Sequence, residues 1–146
     1  MNINYKIILN YIKDISLEIP GADALIVSRE NISKYLTDIQ ISSKVMKNNT
    51  MEIDTKMIYY DKTKNKKKSH FEIIYSTIIK LEDNKPVEKD LKKLILSDLQ
   101  IEIYPHIKKI SENILKMSGF PNVELKNIDF YKIYSEKKIL PWLEDD

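Results

Sequence analysis

The side chains that could carry out chemistry in this sequence are few and lie far apart. The two histidines, His70 and His106, are isolated, and neither falls in an HxxxH or HExxH arrangement that could hold zinc. The chain has no cysteine, which excludes disulfides, thiolate metal sites and cysteine nucleophiles. No serine lies in a GxSxG turn, and Gly21 and Gly119, the only two glycines, cannot build a glycine-rich phosphate loop. An enzyme is therefore the least favoured class.

Two carboxylates have a spacing that places them together. Asp14 and Glu18 lie four residues apart in a segment that alternates polar and apolar side chains, so both should lie on one face of a strand. That spacing separates them by roughly 13 Å, which is too far for the carboxylate pair of a glycosidase. They could form an acidic surface for a basic partner, but composition alone favours a solvated strand face.

The densest charge cluster consists of lysines in a polar loop. One interpretation is a patch that binds nucleic acid or an anionic membrane. We favour a solubilising loop, because no aromatic side chains are interleaved for base stacking. The formal charge of +2 is close to neutral, and 23 lysines against one arginine, Arg29, argue against sequence-specific binding to nucleic acid. The cluster comprises Lys62, Lys64, Lys66, Lys67 and Lys68.

The chain of 146 residues fits one domain over residues 1–146. Period-two alternation predicts four strands within about residues 4–82, at 11–19, 35–47, 51–61 and 70–82. Residues 23–34 show no clear period and are predicted as a crossover loop. The fourth strand also carries apolar Ile74 and Ile78 on its second face, and the layer covering that face could come from another subunit.

No stretch approaches the ~20 apolar residues of a membrane span, and no signal peptide is evident, so the expected location is cytoplasmic.

Helical spacing replaces the alternation over about residues 86–138, before a short tail at 139–146. Pro86 suits a helix start, Pro105 should kink or restart the long helix, and Gly119 should end it. A short last helix at 127–136 is predicted with Asn127 as its cap. The predicted fold class is α+β, a four-stranded antiparallel sheet followed by two C-terminal helices.

Three segments carry distinctive patterns. Residues 11–22 read YIKDISLEIPGA, residues 103–107 read IYPHI and are followed by Gly119-Phe120-Pro121, and residues 123–134 read VELKNIDFYKIY. The first resembles the opening strand Y-x-K-D-I/L-S-F/L-E-x-P-x-A of the SecB family of protein-export chaperones. The second is similar to that family's aromatic-proline helix start and Gly-x-Phe-Pro exit, here one residue shorter. The third resembles its last loop and final helix.

This resemblance implies a cytosolic, ATP-independent holdase without a cofactor. The subunits would form a homotetramer, a dimer of dimers paired through sheet-edge strands, without inserting into a membrane. Unfolded preproteins would bind in hydrophobic grooves, and acidic side chains would dock the SecA ATPase. The residues implied are Asp14, Glu18 and Glu72 for SecA docking, Phe71, Ile73 and Tyr75 for the subunit interface, and Phe120, Leu125, Phe130 and Tyr134 for the client groove.

Two alternatives remain open from the sequence. SecB-like chaperones also occur beside toxin–antitoxin pairs, so the chain could serve one dedicated partner such as an antitoxin. A phosphate-binding module acting through the lysines of residues 62–68 is the third hypothesis, which failure to bind RNA or DNA at low salt would remove.

Overall fold

The computed structural model describes residues 3–61, 70–82 and 86–136. The lysine cluster at 62–68 and the tail at 139–146 lie outside these residues. The described elements are strands β1 (Tyr5–Glu18), β2 (Tyr35–Val45), β3 (Thr50–Asp61) and β4 (His70–Leu81), and helices α1 (Ala22–Glu30), α2 (Glu88–Lys93), α3 (Leu99–Met117) and α4 (Phe130–Ser135), with a π-helical turn (Leu94–Asp98) joining α2 to α3.

The four strands form one antiparallel sheet in the order β1-β4-β3-β2. Strands β2 and β3 are joined by a tight turn at residues 47–50, in which Asn48 and Asn49 have φ of 63° and 59°. Asparagine tolerates this left-handed conformation, and two such residues in a row match the twist of a β-hairpin. The predicted α+β fold class is confirmed.

The core lies between one face of the sheet and α3. Alternate residues of β3, among them Ile53 and Met57, are fully buried, and so are Leu99, Ile103 and Ile107 at helical spacing on α3. Thr55 of β3 donates a hydrogen bond to the Gln100 side chain of α3, with an Oγ1–Oε1 distance of 3.1 Å. We call this face of the sheet the inner face and the opposite one the outer face.

The crossover at residues 23–34 is a helix followed by a short helical turn, so the prediction of a loop there is wrong. The residues that α1 buries are Ala24 and Ser28, one turn apart. Because the buried side chains of α1 are small and one of them is polar, the sequence shows no helical repeat of apolar residues there. The amide of Asn31 donates to the carbonyl of Val27 through both its backbone and its side chain, which ends the helix.

Helix α3 continues through Pro105, so it does not restart there. Pro105 removes one hydrogen bond to the carbonyl of Ile101, but both residues are exposed, and water can hydrate that carbonyl. The irregularity lies upstream, in the π-helical turn, where the Gln100 side chain donates to the carbonyl of Ile95 at 3.1 Å.

Two helix ends show how backbone and side chains set the boundaries. Gly119 follows α3 with a φ of 102°, and a Cβ there would come within 2.9 Å of the Leu25 side chain, so glycine suits the position on both counts. Helix α4 begins at Phe130, and its cap is Asp129, which accepts from the backbone amide of Lys132 at 3.0 Å. The predicted cap, Asn127, instead accepts from the Lys108 ammonium at 3.0 Å.

Candidate functional site: the outer face and the β2 groove

The predicted docking carboxylates lie together on the outer face. In the pairing of β1 with β4, Glu72 of β4 lies opposite Ser16 of β1. Ser16 is midway between Asp14 and Glu18 along β1. Side chains of directly opposed residues point to the same side, so all three carboxylates project from one face. Asp14 and Glu18 are exposed, and they form no ion pair with any residue among 3–61, 70–82 and 86–136.

Glu72 differs from the other two because it already has a cationic partner. The ammonium of Lys56, on β3, lies 2.8 Å from Glu72 Oε1, and the two side chains are 35% and 24% exposed. The pair is diagonal across the two strands, since Lys56 lies opposite Ile74 and Glu72 opposite Ile58. An ion pair of this exposure is partly screened by solvent.

A second charged cluster crosses three strands of the outer face. Lys13 of β1 reaches over β4 to Asp54 Oδ2 at 2.9 Å and to Glu52 Oε1 at 3.1 Å on β3. The hydroxyl of Ser76 donates to the other oxygen of Asp54 at 2.6 Å, and the hydroxyl of Tyr11 donates to the other oxygen of Glu52. Hydrogen bonding to these carboxylates, to Asp54 above all, raises the pKa of the Lys13 ammonium and keeps it charged.

The predicted subunit-interface residues lie on the inner face. Phe71, Ile73 and Tyr75 alternate with the outer-face side chains of β4 and are buried within the chain's own core. Burial alone raises the pKa of the Tyr75 hydroxyl. Their contact with another subunit stays a prediction.

An apolar groove of about 750 Å³ runs beside strand β2. One wall is the start of β2, where Leu36 and Asp38 alternate with Tyr35 and Ile39, and side chains of both sets line the groove. Among the described strands, β2 pairs with β3 alone, so the groove follows an edge of the sheet. The other wall is the segment 122–136, which contributes the apolar side chains of Val123, Ile128, Phe130 and Ile133. We call this feature the β2 groove.

Helix α3 holds the second wall in place through a row of side chains one turn apart. Tyr104 donates to the carbonyl of Lys126 at 2.9 Å, and Glu112 Oε2 accepts from the backbone amide of Leu125 at 2.8 Å. Lys108, between them on the helix, contacts Asn127 as described above. Burial and, to a smaller extent, the charge of Glu112 raise the pKa of Tyr104 to about 12, so its hydroxyl stays a donor.

Of the four residues predicted for the client groove, Phe130 lines the β2 groove. Phe120 and Leu125 are buried in the core, and Tyr134 is half-buried against it. The ring of Phe130 packs edge-on against that of Tyr104, with centroids 5.4 Å apart, so the groove wall and its tether form one packed unit.

Sequence reasoning missed the β2 wall and the tethering row. The wall depends on which strand lies at the sheet edge, and that order cannot be read from alternation. The row on α3 did leave a signal, because Tyr104, Lys108 and Glu112 recur every four residues and so share one helix face.

Two negative observations concern the described residues alone. In the ranges 3–61, 70–82 and 86–136, no helix combines the length and apolar content that crossing a membrane requires. Over the same part of the chain, no three histidine, aspartate or glutamate side chains gather into a group that could hold a metal ion.

Comparisons with known proteins agree with one another. The family model described as preprotein translocase subunit SecB matches residues 2–139. A protein of Pelagibacter ubique (strain HTCC1062), provisionally named protein-export protein SecB, is 41% identical over 138 residues, covering 94% of this chain and 99% of the relative. The protein-export protein SecB of Parvibaculum lavamentivorans (strain DS-1) is 23% identical over 132 residues, covering 90% and 77%.

Among solved structures, the fold is similar to that of the Mycobacterium tuberculosis SecB-like chaperone Rv1957, determined in complex with a ChAD peptide from the antitoxin HigA1 (Rv1956). The TM-score is 0.66 and the sequence identity 10%, with 85% of this chain and 87% of that chain covered.

Proposed function

The chain belongs to the SecB family of protein-export chaperones, and on that premise we propose that it binds unfolded preproteins without ATP, in the cytoplasm, and delivers them to the SecA ATPase. Non-native chains expose apolar side chains, which gain about 25 cal/mol for each Å² buried. A holdase that buries them delays folding and aggregation by mass action. No cofactor takes part in this function.

The β2 groove is the observation that carries the proposal. Its apolar lining lies along an edge strand, which is the geometry that suits an extended peptide. An added peptide strand gains main-chain hydrogen bonds, which do not depend on its side chains, while the groove accepts alternate side chains of the peptide. We assign client binding to this groove, with Phe130 in its wall, while Phe120 and Leu125 belong to the core and Tyr134 packs against it.

SecA docking is assigned to the outer face. Asp14 and Glu18 are exposed and unpaired with any described residue, and Glu72 lies between them on the next strand, as shown above. Such carboxylates attract a cationic protein segment, and charge of this kind acts mainly on the association rate and on orientation.

The proposed assembly is a homotetramer built as a dimer of dimers. Strand β1 supports pairing at its edge, because it exposes four large apolar side chains that a monomer would leave in water. Phe71, Ile73 and Tyr75 are buried in the chain's own core, so in this assembly they would support the subunit interface from within the core. Light scattering should give a mass of roughly four times 17.2 kDa, whereas a strict monomer would contradict the assembly. The exposed residues of β1 are Ile8, Leu9, Ile12 and Ile15.

The first experiment measures aggregation of a denaturant-unfolded preprotein by light scattering, without ATP. The wild type should delay aggregation, and Leu36→Ser, which places a hydroxyl in the groove, should delay it less. Val45→Ser is the matched control, because Val45 is an exposed apolar residue at the far end of the same strand, outside the groove. A wild type that protects no unfolded client would overturn the holdase function.

The second experiment titrates SecA against the wild type and the double variant Asp14→Ala/Glu18→Ala. The variant should lose affinity at moderate salt. Unchanged affinity would contradict the docking assignment while leaving client binding untouched.

A dedicated antitoxin chaperone is the second candidate function. The fold similarity to a SecB-like chaperone solved with an antitoxin peptide favours it. Selective binding of one partner, together with no protection of unrelated unfolded clients in the aggregation assay, would support this function over general export.

A further inference from the structure

The carboxylates of the outer face fall into two groups that differ in their internal partners. Glu52, Asp54 and Glu72 each contact a lysine of the same face at 2.8–3.1 Å. Asp14 and Glu18, on the edge strand β1, contact none among the described residues. Two lysines therefore partly offset the negative charge of these three carboxylates, whereas the charges of Asp14 and Glu18 on β1 are not offset by any described residue.

We infer that Lys56 is a built-in competitor for Glu72, so that a lysine-rich protein segment binds Asp14 and Glu18 directly but binds Glu72 in competition with the charge of Lys56. This inference rests on the proposed docking function and adds a residue that sets its strength. Lys56 and the incoming ammonium are both cations, and Lys56, 2.8 Å from Glu72 Oε1, repels a second ammonium and offsets the negative charge that would attract it.

The energetic balance of the pair makes this competition measurable. Both side chains are about a third exposed or less, so the pair is neither fully screened nor locked in the interior. Partly exposed pairs of this kind contribute a few tenths to about 1 kcal/mol, which corresponds to about a two- to five-fold change in affinity. Lys56 thus lowers affinity for every cationic partner and raises the selectivity for those with enough charge to displace it.

The Lys13 cluster does not offer the same exchange. Both oxygens of Asp54 and both of Glu52 accept hydrogen bonds, from Lys13, Ser76 and Tyr11. An incoming cation would have to break several contacts at once. Among the described residues, Lys56 forms an ion pair with Glu72 alone, which makes it the simpler lysine to displace.

The test measures binding of a fluorescent, lysine-rich synthetic peptide to the full chain by anisotropy, at low and at moderate salt. Lys56→Met keeps the aliphatic stem but removes the charge, and it should tighten binding about two- to five-fold at low salt, with the gain shrinking as salt screens the charges. Lys109→Met is the control, because Lys109 is exposed on α3 and its loss changes the net charge equally.

A double-mutant cycle with Glu72→Gln separates competition from general electrostatics. Glu72→Gln should weaken binding more in the Lys56→Met background than in the wild type, where Lys56 already occupies the carboxylate. Equal gains from Lys56→Met and Lys109→Met, or equal losses from Glu72→Gln in both backgrounds, would overturn the inference.

The same assay tests the docking proposal independently. If Asp14→Asn/Glu18→Asn leaves peptide affinity unchanged, the proposed docking surface is wrong, and the inference about Lys56 falls with it. If that double variant weakens binding while Lys56→Met behaves as its control does, the docking surface stands and only the competition is refuted.

Discussion

The outer face and the β2 groove are built from opposite kinds of contact. The outer face is set by charged side chains that cross strands, and the paired side chains are 17–41% exposed to solvent. The groove is set by apolar side chains whose wall is held by buried or half-buried contacts to α3. Salt should therefore change the stability of the outer-face contacts strongly, and side-chain truncation there should change it weakly. In the groove, truncation should have the larger effect and salt the smaller one.

The largest effect should come from removing a groove-wall side chain that also belongs to the core. Phe130 is 1% exposed, and Phe130→Ala should lower the free energy of unfolding by about 3–5 kcal/mol and weaken client binding. Tyr131→Ala is the neighbouring control, since Tyr131 is 56% exposed. Urea unfolding of both variants measures the difference, and equal losses would contradict the assignment of Phe130 to the packed wall.

An intermediate effect is expected from the tether. Glu112→Ala leaves the backbone amide of Leu125 without its acceptor, which should cost about 1–3 kcal/mol and loosen the groove wall. Glu112→Gln retains an acceptor oxygen and should recover most of the loss. Client affinity measured by isothermal calorimetry should follow the same order, whereas affinity for a lysine-rich peptide should not change. A loss of affinity for the lysine-rich peptide in Glu112→Ala would contradict the claim that the groove and the outer face act independently.

The smallest effect is expected on the outer face. Lys13 is 41% exposed, so Lys13→Met should lower the free energy of unfolding by about 1 kcal/mol or less, and the loss should fade at high salt. Thermal unfolding at two salt concentrations measures it. A loss as large as that of Glu112→Ala, or one independent of salt, would show that the outer face is not held mainly by screened charge.

The sequence predicts the outer face better than the groove, for a physical reason. Alternation along a strand fixes which side chains share a face, so it places Asp14 and Glu18 together, whereas Glu72 joins them only through the family resemblance. It cannot pair charges between strands, because Lys13 meets Asp54 at a separation of 41 residues that only the strand order creates.

The groove could not be predicted from local sequence patterns, because it depends on contacts between distant parts of the chain. Its β2 wall exists because β2 lies at a sheet edge, and its other wall depends on contacts of α3 with the segment after it. The family resemblance implies Phe120 and Leu125 as groove residues, and their apolar character does not distinguish a groove lining from the core. The predicted cap of α4, Asn127, lies two residues from the observed cap, Asp129. An error of this size is within the uncertainty with which helix boundaries can be assigned.

The strand order β1-β4-β3-β2 also sets how long a client chain must be to bind two grooves at once. If two chains join through their β1 edges, as proposed, the two β2 grooves lie at the far ends of one continuous sheet. With neighbouring strands about 4.8 Å apart, those ends are roughly 34 Å from each other across the sheet. An extended polypeptide covers that span in about ten residues. Clients whose apolar segments are spaced by less than this would occupy one groove at a time, and longer spacings would allow both to be filled by one molecule.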